Sequence, residues 1–163
     1  MYTLFRYNWQ VRDEWFQLCD TLPHEELMRP RTGGLGCILR TLFHIVDVEY
    51  SWILFLQGKP DFEETFEQHA TLASVKRLSE SFRPEVERFL QMWSNEMETR
   101  TLQITGRSGQ LSTFTHGEIL RHVIAHEIHH VGQLSVWARE LNLTPPSANV
   151  IGRKLMEREQ GLT

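Results

Sequence analysis

The stretch that decides the fold is residues 118–134, which read EILRHVIAHEIHHVGQL. Its apolar residues recur every three or four positions, which is the spacing of one face of an α-helix. Thr115 and Glu118 have the spacing of a capping box, in which the Thr hydroxyl and the Glu carboxylate each accept a free N–H of the first turn. The pattern predicts a long helix from about His116 to Leu141.

Helical spacing also covers most of the chain before this stretch. It predicts three further long helices at about Tyr2–Leu22, Leu35–Gln57 and Thr71–Arg100. Pro84 lies inside the third of these and should kink or split it. Residues 102–113 should be irregular or form a short hairpin around two glycines, and residues 147–160 should form a short terminal helix.

Strand signals are nearly absent, so the four helices define the fold class. The polar stretch 61–70 reads as a long connection between the second and third helices. We therefore predict one all-α domain over residues 1–163, an up-down four-helix bundle with a long crossover between helices 2 and 3.

Composition excludes several classes of function. The chain of 163 residues is 40% apolar and carries a formal net charge of −4, which argues against a nucleic-acid partner. No apolar run approaches the roughly 20 residues that span a bilayer, and the first residues do not form a signal peptide. Cys19 and Cys37 lack metal or redox spacing and should be buried, reduced thiols. We expect a cytoplasmic protein.

Four of the eight histidines lie within nine residues of the last helix. His122, His126 and His130 follow one another at four-residue steps, which places the outer two about 12 Å apart along the helix axis. One ion cannot bind all three, because metal–nitrogen bonds are about 2.0–2.1 Å long. The pairs His122/His126 and His126/His130 remain open, with His126/His129 weaker, and His126 belongs to all of them.

A metal site needs a further ligand from another helix, and His44 lies mid-helix in an apolar stretch. A lone histidine there is more often a hydrogen-bonded core residue, so spacing leaves both interpretations open. The string His126-Glu127-x-x-His130 also fits the helix of a zinc protease, with Glu127 as general base. An all-helical bundle without a strand to bind a peptide argues against that alternative.

Four segments carry a resemblance to a known family. They are Tyr7-Asn-Trp9, Leu39-Arg-Thr-Leu-Phe-His44-Ile, Leu56-Gln-Gly58 and Leu120 to Leu134. Over nearly its whole length the chain resembles the DinB-like family. The family usually has Arg after the last ligand histidine, in a His-Arg-Gly-Gln string, where this chain has Val131.

The resemblance implies a four-helix bundle, assembled as a homodimer, with His44, His126 and His130 as ligands of one divalent metal ion. Zinc is the preferred ion, with nickel, iron or manganese as alternatives. Characterised relatives use such a metal to activate a low-molecular-weight thiol, such as bacillithiol or mycothiol, for S-transfer or isomerisation. We therefore expect a metal-dependent thiol S-transferase or hydrolase that acts on a small-molecule substrate. The alternative is a non-catalytic stress-response bundle protein that binds metal or a small ligand.

Two residues beside the ligands are candidates for catalysis by helix position. Asp47 follows His44 by three residues and could act as a base or hold a ligand, although it could also be a solvated carboxylate. Gln133 follows His130 by three residues and could orient a ligand or the substrate, although it could also make a helix–helix contact.

Overall fold

The computed structural model describes residues 1–105 and 109–155. The described chain is mostly helical, with one small antiparallel sheet. Its elements are α1 (Tyr2–Cys19), α2 (His24–Met28), α3 (Ile38–Leu56), a 3-10 turn (Phe66–His69), α4 (Leu72–Gln91), α5 (Asn95–Glu98), β1 (Thr101–Thr105), β2 (Leu111–Thr115) and α6 (His116–Glu140). Within these residues, no helix is long and apolar enough to cross a membrane.

The four predicted long helices correspond to α1, α3, α4 and α6. The capping box of α6 is confirmed: the Thr115 hydroxyl accepts the Glu118 amide at 3.1 Å, and the Glu118 carboxylate accepts the Thr115 amide at 2.7 Å. Helix α4 continues through Pro84 without a break and ends at Gln91, earlier than predicted. Packing of Val86 and Phe89 in the core holds the helix together past the proline.

The chain is mostly helical, as predicted, but it is not entirely α, because residues 101–115 contain the short hairpin that was one of the two alternatives for residues 102–113. Thr101 lies opposite Thr115 and Thr105 lies opposite Leu111 in an antiparallel pair. Threonine and other β-branched residues favour this extended backbone. The turn predicted around Gly106 lies outside the described residues. The second strand runs directly into the capping box, so the hairpin is fixed to the start of α6.

The predicted helix over residues 147–160 is also wrong for its described part, which ends at Leu155 and is not helical. Hydrogen bonds to α1 hold this segment instead. The Tyr7 hydroxyl donates to the Ala148 carbonyl at 2.8 Å, and Arg153 forms an ion pair with Glu14. Contacts with α1 outweigh the weak helical preference of the segment. The remaining residues of that prediction lie outside the described chain.

Side-chain pairs give the helix directions. His44 contacts His126 and Trp52 contacts His122, so α3 and α6 are antiparallel. Helices α1 and α6 are parallel, because residue 8 bonds to residue 124 and residue 12 to residue 127. Helix α4 is antiparallel to α1, because residue 13 bonds to residue 83 and residue 20 to residue 76. Therefore α3 and α4 run the same way, and residues 57–71 must cross back along both helices.

The centre of the helical core is polar. Apolar side chains form two clusters, one around Trp15, Leu42 and Leu134 and the other around Phe5 and Ile53. A buried ionic layer contains the guanidinium of Arg12, two carboxylates and a hydroxyl; its members are Arg12, Glu49, Ser79 and Glu127.

All five N–H donors of Arg12 have an acceptor. Its Nε and one Nη2 hydrogen bond to Glu127 at 2.9 and 2.5 Å, and its two Nη atoms bond to Glu49 at 3.0 and 2.9 Å. The remaining Nη1 hydrogen bond reaches Ser79 at 3.3 Å. Trp9 also donates to both oxygens of Glu49, at 3.2 and 3.0 Å. Side chains from α1, α3, α4 and α6 are thus joined through one guanidinium.

Replacement of Arg12 tests this layer. In R12M, two buried carboxylates lose their counter-charge, so we expect the free energy of unfolding to fall by about 3–5 kcal/mol. Urea denaturation followed by circular dichroism measures the change. R121M is the matched control, because Arg121 pairs with Glu98 at an exposed site, where loss of an ion pair costs about 1 kcal/mol or less. Equal losses of unfolding free energy in R12M and R121M would show that the buried ionic layer contributes no more to stability than an exposed ion pair.

Candidate metal centre

Helices α3 and α6 bring His44, His126 and His130 together. The Nε2 atoms of His44 and His126 lie 3.0 Å apart, and those of His126 and His130 lie 3.1 Å apart. All three candidate ligand atoms lie within 4.8 Å of one another. The two histidines of α6 share a face because they are four residues apart, and the antiparallel α3 supplies the third from across the helix interface.

Burial sets the charge of these rings. It lowers the pKa of His44 to about 4 and that of His126 to about 3, and repulsion from the neighbouring histidines adds to both shifts. Burial also lowers the pKa of His130, against the opposing effect of the hydrogen bond that His130 donates to Gln133. The three imidazoles are therefore neutral at pH 7, which is the form that binds metal ions.

The donor set fits a divalent ion. On a tetrahedral ion with bonds of about 2.0–2.1 Å, two ligand nitrogens lie about 3.3–3.4 Å apart. The two separations of 3.0 and 3.1 Å are within a few tenths of an ångström of this value, and the His44 and His130 ligand atoms lie within 4.8 Å of each other. Three protein ligands leave a coordination position for another molecule, which is typical of catalytic rather than structural sites.

Gln133 fixes the orientation of His130. Its Oε1 lies 2.8 Å from His130 Nδ1, and its Nε2 lies 3.0 Å from His129 Nε2. A carbonyl oxygen can only accept, so the proton of His130 is on Nδ1 and its Nε2 lone pair is free for a ligand bond. Gln133 therefore orients His130, one of the three candidate ligands.

Asp47 is half-buried and accepts a hydrogen bond from Ser51 at 3.4 Å. Burial raises its pKa, and the nearby Asp61 raises it further. Among the described residues, no histidine is hydrogen-bonded to Asp47. The structure therefore places it about one turn after His44 in α3, without a hydrogen bond to the three rings.

Glu127 is excluded as a general base by its ion pair with Arg12, whose side chain is buried with it. The zinc-protease interpretation of the His126–His130 string therefore loses its catalytic residue. Sequence reasoning missed the role of Arg12 and Glu49, although one signal was available. Both are charged residues at positions where the helical spacing of α1 and α3 calls for apolar ones.

The remaining histidines of α6 flank the site. His122 lies on the side of the Trp52 ring, 6.0 Å from its centroid and 5.7 Å from the His126 ring. His129 contacts Gln133 from the exposed surface. The spacing of the histidines along α6 left several ligand pairs open. In the structure, His126 and His130 are the pair that lies against His44. Val131, which stands where the family usually has Arg, is buried in the apolar core.

The loop before α3 lies against Gln133. The Trp137 indole donates to the Thr32 carbonyl at 3.2 Å. Gly34 has φ +53°, and a Cβ atom there would lie 2.9 Å from both the Gln133 Oε1 and the Trp137 ring. The loop therefore approaches α6 closely enough that only glycine fits, at the side chain that holds His130.

Comparisons with known proteins give the family of this chain. The DinB family model matches residues 1–161. The protein YizA of Bacillus subtilis (strain 168), described as uncharacterized, is 53% identical over 155 residues, which cover 95% of this chain and 96% of YizA. The chain belongs to the DinB family.

Two crystal structures of DinB-like proteins share the fold. One is from Bacillus cereus ATCC 10987, with TM-score 0.59 and 24% identity, covering 90% of this DinB-family chain and 99% of its relative. The other is YjoA of Bacillus subtilis, with TM-score 0.61 and 18% identity, covering 90% of this chain and 97% of its relative.

Two glycine variants separate close approach from backbone strain. Gly33, with φ +80°, has no atom within 4 Å of a Cβ position, whereas Gly34 has Gln133 and Trp137. We expect G33A to lose about 1 kcal/mol from backbone strain, and G34A to lose about 1–2 kcal/mol more. Urea denaturation gives both values. NMR of the histidine rings should show a changed His130 environment in G34A only. Equal losses of stability and equal His130 spectra in G33A and G34A would contradict the close approach of Gly34 to Gln133 and Trp137.

Proposed function

We propose that this chain is a divalent-metal-dependent enzyme that activates a low-molecular-weight thiol for S-transfer, or water for hydrolysis. The observation that carries the proposal is the convergence of three neutral imidazole nitrogens from α3 and α6. Zinc is the proposed ion, with nickel, iron or manganese as alternatives, because imidazole suits several divalent metals.

A bound divalent ion would lower the pKa of a thiol or water at its open position, which makes a nucleophile available at neutral pH. The protein residues supply the rest. His44, His126 and His130 hold the ion, and Gln133 keeps His130 in the required tautomer. Asp47, whose pKa is raised by burial, is the proposed proton acceptor, since a base works best when its pKa approaches the working pH.

The second candidate is a non-catalytic bundle protein that binds metal or a small ligand in a stress response. It is favoured by Val131, whose side chain packs into the core. The family's usual Arg is thus replaced by a residue that cannot hold an anionic substrate. We place either function in the cytoplasm, because Cys19 and Cys37 are buried and free, as in a reducing compartment.

Metal binding by the three histidines is tested first. Untagged wild-type protein should bind one equivalent of zinc by calorimetry and elemental analysis, and H126A should bind it at least 100-fold more weakly, because its ring lies between the other two. H129A is the matched control on the same helix, and we expect a loss of about 10-fold or less, since His129 contacts Gln133 and the His130 ring but is not one of the three converging ligands. Equal binding by wild type and H126A would refute the centre.

Catalysis is tested with a panel of thiols and one generic electrophile. We expect wild type to accelerate conjugation of at least one thiol, H130A to lose about 100-fold or more in kcat/KM with its metal, and D47N to lose about 100-fold in kcat while keeping the metal. If wild type and metal-free H130A give equal rates, the non-catalytic candidate is the better account.

We also propose that the chain forms a homodimer through the exposed face of α6. Ile128 and Val136 are 44% and 56% exposed there, eight residues apart on one side of the helix. Light scattering at tens of micromolar should give twice the chain mass of 19.2 kDa. V136E should give the monomer mass, because a buried charge at the interface is costly. A monomeric wild type would contradict the proposal.

A further inference from the structure

A recess of 270 Å³ lies beside the three-histidine cluster, lined by Trp52, Phe114, Glu118, Ile119 and His122. Three elements build it: α3 provides the indole, β2 the phenyl ring, and α6 the remaining side chains. Its size is at the small end of ligand pockets. It can hold a single ring or a short apolar group rather than a nucleotide-sized cofactor.

The walls of the recess are mainly apolar. Phe114 is 39% exposed and therefore contributes little to the core, although a large aromatic residue usually packs inside. The Glu118 carboxylate is occupied by Thr115 at the helix cap. Among the lining residues, His122 is left as the polar side chain without such a partner, and its ring lies edge-on to Trp52.

The recess adjoins the metal centre through His122. The centroid of the His122 ring lies 5.7 Å from that of His126, and four residues of helix correspond to a rise of about 6 Å. His130 is buried, whereas His44 and His126 are half-buried. The member of the cluster nearest the recess, His126, is thus less buried than His130, the member farthest along α6.

We propose that this recess binds an aromatic ring, or a flat apolar group of similar size, of a substrate whose donor atom reaches the metal. The rings of Trp52 and Phe114 contact the flat group, and His122 lines the recess on the side of His126. The metal-bound half of this inference rests on the proposed function. The ring-binding half rests on the recess and stands without a metal.

The test compares two compounds that carry the same donor group. Phenylacetohydroxamic acid differs from acetohydroxamic acid by one phenyl ring, which is attached to the CH2 group next to the hydroxamate carbonyl. We expect zinc-loaded protein to bind the phenyl compound at least tenfold more tightly, because burial of the ring adds apolar contact. In metal-free protein, the phenyl compound should shift the Trp52 indole N–H resonance, assigned with W52F, and acetohydroxamic acid should not.

Two variants of the same strand locate the effect. F114A should lose at least fivefold in affinity for the phenyl compound and should keep its affinity for acetohydroxamic acid. L111A is the matched control, because Leu111 is 58% exposed in β2 and does not line the recess; its affinities should stay within twofold of wild type.

The outcomes separate this proposal from the proposed function. Equal affinity of zinc-loaded protein for both compounds, or an F114A variant that behaves like L111A, overturns the recess and leaves the metal centre intact. If the protein binds no zinc but the phenyl compound still shifts Trp52 in a Phe114-dependent way, the recess is supported and the metal centre falls.

Discussion

The buried guanidinium of Arg12 is the constraint on which the rest of the structure depends. A charged group with five donors cannot be left unsatisfied away from water, and its acceptors come from α3, α4 and α6. Because the acceptors must reach it together, the rotation of each helix about its own axis is fixed. Glu127 neighbours His126 in sequence and points about 100° away from it, so the carboxylate that faces Arg12 directs the histidines toward α3.

Neighbouring residues of α6 therefore serve two different purposes: Glu127 belongs to the ionic layer, and His126 and His130 belong to the histidine cluster. Glu127 is sequestered by a cation and gives specificity to the packing, while His126 and His130 stay neutral and free to bind a ligand. Gln133 and the glycine loop then restrict the most buried histidine to one orientation. A site held in this way needs little reorganisation when an ion or substrate binds, which favours affinity and catalysis.

Local signals in the sequence predicted much of this arrangement. The capping box and the apolar periodicity located α6, and four-residue spacing identified His126 as a ligand candidate. The choice of His44 and His130 over His122 needed the family resemblance, because spacing along one helix says nothing of the facing helix. The short hairpin was one of the two alternatives predicted for residues 102–113, whereas the Arg12 layer was missed and the C-terminal segment was wrongly predicted to be helical. The layer and the C-terminal segment depend on partners far away in sequence, such as the 115 residues that separate Arg12 from Glu127.

The C-terminal segment bound to α1 makes the described fold depend on contacts between residues that are far apart in the chain. Tyr7 and Ala148 are 141 residues apart, and Glu14 and Arg153 are 139 residues apart. The buried arginine of α1 likewise needs a carboxylate from α6, 115 residues away. Closing such long loops costs conformational entropy before any contact is made. Helix α1 therefore reaches its final environment only when segments far along the chain have joined it, so its burial is a property of the whole domain and not of its own sequence.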